Sequence, residues 1–210
     1  MKKIMKTKSI LSNLATVMVL FTFVLFFNES MYAQQDSWPS LSTKTPSTFL
    51  GVGLGVNDNG FGACIEIPLV EKLSLYGNAG LGGWGWKLGG GISFYPSKGP
   101  YGTSLSIGYA SASGLNDFQT ELAVEPDNQT KPIILNLNPV GTVNLVYAHN
   151  FRMGQKSKFA LSAGYAIPVT KNAYDVITTG ETLSDISMQV MDFVQPGGLI
   201  VGFKFLFGIN

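Results

Sequence analysis

Few residues in this chain of 210 are suited to chemistry. His149 is the only histidine and Cys64 the only cysteine. One thiol and one imidazole cannot make a Cys/His zinc site within one chain, and a lone cysteine forms no internal disulfide. A histidine can act as the base beside a serine and an acid in a hydrolase. Here the alternation of the sequence puts His149 between Tyr147 and Phe151 on an outward face, and its neighbours Asn150 and Phe151 supply no nucleophile. An aromatic-rich interface residue is therefore expected, with no catalytic residue, metal or cofactor. Gly80-Leu81-Gly82-Gly83-Trp84-Gly85 matches the G-x-G-x-x-G spacing that binds dinucleotide phosphates at the start of a helix. Residues 86–95 just beyond it alternate like a strand, so the glycines are read as strand and turn. Glu66, Lys87 and Lys204 share a common inward face. Glu66 is expected to pair with Lys204, across space left by Gly51, Gly53 and Gly55. Such a polar cluster (Glu66, Lys87, Lys204) reads as a structural plug, with an ion path or gate as the other reading.

The elements that position these residues have a period of two. Segments 49–57, 60–69, 72–82, 86–95, 101–110, 137–151, 158–168 and 198–209 each set Leu, Val, Ile, Phe or Tyr against Gly, Ser, Ala or Asn. Successive side chains of a strand point to opposite faces, so these are eight predicted strands. Most have the length of roughly 9–11 residues with which a tilted strand crosses a bilayer. The long connections 112–136 and 169–197 fall on the same end of an up-and-down arrangement, and the short turns 70–71, 96–100 and 152–156 on the other. Outer-membrane barrels show this asymmetry. Loop 112–136 carries Asp117, Glu121, Glu125 and Asp127 and reads as a solvated acidic surface. In loop 169–197 the spacing of Leu183, Ile186, Val190, Met191 and Val194 predicts a short amphipathic helix, capped by Thr182 or Ser184.

The alternative is a soluble β-sandwich or lipocalin-like barrel. A soluble sheet carries charge on its wet face. These strands hold only Glu66, Lys72, Lys87, Lys158 and Lys204, with His149, and charged residues make up 13% of the chain, against about 25% in typical soluble proteins. Small residues suit the narrow interior of an eight-stranded barrel, and closure pairs every backbone group, as a bilayer demands. Aromatics fall into two belts. Phe94, Tyr95, Tyr101, Phe151, Phe159 and Phe207 lie near the short-turn end, and Phe61, Trp84, Trp86 and Tyr109 near the other. Of these, Trp84, Trp86, Phe94, Tyr101, Phe151, Phe159 and Phe207 are assigned to the lipid-interface girdles. The expected fold is all-β, an eight-stranded antiparallel up-and-down transmembrane β-barrel.

The amino terminus has the secretory pattern. Lys2, Lys3, Lys6 and Lys8 precede an apolar run from Ile10 to Phe27, and Met31-Tyr32-Ala33 offers a cleavage site before Gln34. An uncleaved signal anchor is the competing reading, because 18 residues can span a bilayer. No cysteine comes directly after the run, which argues against a lipoprotein. The organisation is thus signal peptide 1–33, flexible periplasmic lead-in 34–47 and barrel 48–210. Removing four lysines and Glu29 from 14 basic and 13 acidic residues leaves a net charge of −2, and no basic stripe points to nucleic acid.

With its leader, its eight alternating strands and the closing strand GGLIVGFKFLF, residues 48–210 resemble the small outer-membrane β-barrel proteins of the OmpA-transmembrane-domain and OmpX type, common in Bacteroidetes. Where that family usually ends in an aromatic residue, this chain ends Phe207-Gly208-Ile209-Asn210. The resemblance implies an outer-membrane location in a Gram-negative cell envelope. It also implies outer-membrane lipid and the barrel-assembly machinery as partners, and a structural or surface-interaction role for the long loops. A narrow, porin-like channel for small or hydrophobic solutes, resembling the OmpW type, is the second functional expectation. A lipid-modifying enzyme is the third.

Overall fold

The computed structural model describes residues 48–97, 99–170 and 172–209. The leader 1–33 and the lead-in 34–47 lie outside the described residues. Eleven strands and one helix succeed one another in the order β1 (Thr48–Val56), β2 (Gly60–Val70), β3 (Leu73–Gly82), β4 (Gly85–Phe94), β5 (Gly102–Ala112), β6 (Leu115–Val124), β7 (Gln129–Leu137), β8 (Val140–Met153), β9 (Ser157–Pro168), β10 (Tyr174–Val176), α1 (Asp185–Val194) and β11 (Gly198–Ile209).

Eight of the strands close into an antiparallel barrel in the order β1-β11-β9-β8-β5-β4-β3-β2. These are the eight predicted segments, shifted by at most a few residues at their ends. The last strand closes on the first, from Thr48 opposite Ile209 to Val56 opposite Val201. Outward residues are apolar and exposed on every strand. Val52, Ile65, Leu75, Ile92, Ile107, Leu145, Leu161 and Val201 represent the eight in turn. The inward face is built from small and polar residues because large ones already fill the space. Tyr76, for example, lies across the inner surface of β4 and β5, and a Cβ at Gly108 would overlap its hydroxyl. Among the described residues no helix is long and apolar enough to cross a membrane.

The two long connections are folded, which corrects the reading of 112–136 as a loop, although its Asp117, Glu121, Glu125 and Asp127 are exposed as expected. They supply a second sheet, β10-β7-β6, together with α1. The β6–β7 hairpin carries the line of β5 and β8 beyond the barrel end. β10 pairs with β7 at Leu135–Leu137, and Leu183 forms a bridge with Val124. This cap has its own core, with Trp84, Ala112, Val124, Ile133, Leu135, Leu137, Val140, Ala173, Leu183 and Met191 buried together. The acidic side chains sit on its outside.

Helix α1 forms where the spacing predicts it. Of the two expected caps, Ser184 takes the role, accepting from the Ser187 amide at 3.4 Å. Its apolar residues divide, however. Met191 enters the cap core, while Ile186, Val190, Phe193 and Val194 are exposed.

Candidate functional site

The barrel interior contains two polar clusters at different heights. β1 serves as a ruler for both: Phe49 stands opposite Glu66, and Gly53 stands opposite Lys204. Four residues of strand separate the two levels by about 13 Å.

At the short-turn end, Lys158 of β9 reaches across the lumen to Glu66 of β2, with Nζ 2.7 Å from Oε2. The same ammonium donates to the Tyr95 hydroxyl and to the Pro100 carbonyl, each at 3.1 Å. Tyr95 in turn donates to Glu66 Oε1 at 2.6 Å. All three protons of the ammonium therefore have acceptors, as a fully buried cation requires. Lys158 is 0% exposed. Its charge also lies 4.7 Å from the centroid of the Phe49 ring, a cation–π contact that strengthens when water is excluded. Phe49, Cys64 and Leu206 pack around this level, with Tyr101 against them.

Toward the cap, Lys204 of β11 pairs with Asp58 of the β1–β2 turn at 2.9 Å. Asn78 donates to the other Asp58 oxygen at 3.3 Å. The turn that holds Asp58 is clasped to the start of β11. Asn57 donates to the carbonyls of Gly197 and Leu199 and accepts from the Gly197 amide. Lys87 of β4 is buried near this level. Among the described residues it has no ion pair, and Asp58 attracts it from farther away. Between the two levels lies a cavity of about 60 Å³, lined by Lys87, Lys204, Tyr76, Asn144 and several serines.

The expected pair of Glu66 with Lys204 is thus corrected. Both residues face inward, but they stand at different levels, and each takes a nearer partner. Lys158 and Asp58 were the missing members. Lys158 was detectable, because alternation places it inside, opposite the outward Phe159. Asp58 sits in a turn, where no periodicity applies.

The aromatic assignments divide in a similar way. Trp86, Phe94 and Phe207 are exposed on the outer wall, and Phe151 and Phe159 lie half-buried on it. On β8, β9 and β11 the outward rings run together. His149 lies 4.5 Å from Phe151, which lies 6.3 Å from Phe159, itself 6.2 Å from Phe203. Trp84 and Tyr101 are not girdle residues. Trp84 turns into the cap core and donates from Nε1 to the Asn138 carbonyl at 3.0 Å. Tyr101 packs edge-on against Phe49, inside, because Gly102 at φ 79°, the first residue of β5, interrupts the pleat between Tyr101 and the rest of the strand. Tyr95, read as part of the short-turn belt, is a lumen residue.

The G-x-G-x-x-G stretch spans the end of β3, a two-residue turn and the start of β4, with no helix to receive a phosphate. Among the described residues no three His, Cys, Asp or Glu side chains stand together as metal ligands. Comparison with protein-family models, curated proteins and solved structures found no match to this chain.

Proposed function

We propose that this chain is an exported outer-membrane barrel whose role is structural or surface-interactive, with the folded cap as its presented face. One observation carries the reading: the wall is apolar and exposed outside on all eight strands, and its inner face is made mostly of small and polar residues. Monomeric soluble proteins rarely expose a contiguous apolar patch beyond a few hundred Å², and this one encircles the molecule. Lipid tails are the environment in which that surface is stable. The amino-terminal leader supports export, and the rings on the outer wall fit the headgroup regions. The cap supports the surface role. Segments 113–139 and 169–197 carry eight acidic residues and two lysines, and α1 shows an apolar face.

A conducting pore is less well supported. Phe49, Tyr95 and Lys158 fill the short-turn end of the lumen, each at most 2% exposed, and eight strands leave an interior just wide enough for side chains. Membrane fractionation combined with gel migration of heated and unheated samples tests the reading. The protein should be found with outer membranes and migrate differently after boiling. Recovery in the soluble periplasmic fraction would refute it.

A further inference from the structure

We propose that the apolar flank of α1 is a lipid contact that anchors the cap to the outer leaflet, with Phe193 and Val194 set among the headgroups. The inference rests on the reading of the wall as lipid-facing and carries that contact into the cap. At about 100° per residue, the residues of α1 sort into distinct sides. Ser187 and Met191 are buried and face the cap core. Asp185, Gln189 and Asp192 form a polar side. Ile186, Val190, Phe193 and Val194 form a charge-free flank between the two, roughly 100° around from the core-facing pair. The flank is exposed along its whole length, and Phe193, at 86%, is the most exposed large hydrophobic side chain among the described residues. The cap core has no use for it.

The head of the helix is tied to the far end of β6, where the Ser184 amide donates to the Ala123 carbonyl. Its tail returns to the barrel rim. Only Gln195, Pro196 and Gly197 separate α1 from β11, and Gly197 lies against Pro168 at the end of β9, where a Cβ would come within 3.2 Å of the ring. The last turn, with Phe193 and Val194, is thus held close above Leu199, the first outward residue of β11. From Leu199 to Ile209 the outward side chains run almost the full length of that strand. At about 3.3 Å per residue and a tilt near 45°, they make a band about 23 Å tall, close to the roughly 25 Å of outer-membrane barrels. Leu199 marks the cap-side edge of this band, and just beyond such an edge aromatic side chains meet headgroups. An interfacial helix sinks its apolar face about 5–10 Å into that boundary. A second copy of the chain would also cover an apolar flank. Continuity with the apolar wall selects lipid, and it leaves the acidic residues as the face the cap presents.

The test uses the full chain folded into phosphatidylcholine vesicles, with the buried Cys64 replaced by serine and one nitroxide side chain attached at a time. Phe193→Cys and Val190→Cys probe the flank, Ile107→Cys the middle of the wall, and Glu121→Cys the exposed side of the cap. Electron paramagnetic resonance then measures collisions with oxygen, which concentrates in lipid, and with a water-soluble nickel chelate. The oxygen-to-nickel ratio at position 193 should be several-fold above that at position 121 and below that at position 107. Position 190 should fall between 193 and 121. A water-like ratio at position 193 beside a lipid-like ratio at position 107 would overturn the proposal and leave the lipid-facing wall standing. Spin–spin broadening at position 193, the mark of two copies in contact, would overturn it too. Water-like ratios at both 193 and 107 would refute the wall reading and the anchor together.

Discussion

Replacing Lys158 with methionine removes the charge from the short-turn end of the lumen while roughly keeping its volume. The substitution deletes the 2.7 Å contact to Glu66 and the bonds to Tyr95 and Pro100. It leaves a carboxylate 7% exposed, with the Tyr95 hydroxyl as its remaining partner. Removing one member of a buried pair costs about 3–5 kcal/mol, because the other charge stays behind uncompensated. At about 1.4 kcal/mol per tenfold, the folding constant should fall by two to four orders of magnitude. Glu66→Gln should fall at the lower end of that range, since the amide oxygen still accepts from Lys158. The double variant E66Q/K158M removes both charges together and should cost only about 1–2 kcal/mol, the worth of the lost hydrogen bonds. The assay is urea unfolding in lipid vesicles, monitored by tryptophan fluorescence and by gel migration, for wild type, both single variants and the double. A coupling energy above about 2 kcal/mol is expected. Single costs below about 1 kcal/mol, the range of an exposed pair, or a double variant equal to the sum of the singles, would refute the reasoning.

Ile107 is 56% exposed at the middle of β5, flanked by Ile92 and Leu145. Ile107→Arg should therefore cost about 2–4 kcal/mol in a bilayer, read by the same vesicle titration, whereas a soluble barrel would tolerate it. Trp84→Ala should empty the centre of the cap core at about 3–5 kcal/mol. Limited proteolysis should then cut the β6–β7 tip at 125–128 while the barrel keeps its heat-dependent gel shift. Gly85 has φ 86°, and a Cβ there would press on Ser113 Oγ and the Gly114 carbonyl. Gly85→Ala should cost more than about 1 kcal/mol by urea titration.

The barrel was legible because its two faces differ in kind along every wall strand. Residues such as Leu50, Val52 and Leu54 against Gly51, Gly53 and Gly55 leave one register open, since a slip by one residue would turn the glycines to the outside. The partners inside were less legible. That Glu66 and Lys204 face inward says nothing about height, which depends on how the strands stagger around the closed wall. The cap was hidden for local reasons. β6 carries a bulge between Leu115 and Phe118, with Asp117 at φ 52°, so its alternation is broken near its start. β7 contains Pro132, which argues against a strand; it is tolerated because β10 covers only Leu135 to Leu137. Trp84, between glycines at the barrel end, looks like any interface tryptophan until a second core exists above it.

The contact between Glu66 and Lys158 joins positions 92 residues apart in the chain and bridges two strands that are not neighbours in the wall. Such a bond can form only when the last strand has met the first, so it belongs to the end of assembly. An interaction absent while the barrel is still open cannot speed its formation, but it must be broken before the barrel can come apart. Its effect should fall on lifetime. Variants that lose it should assemble at an unchanged rate and decay sooner.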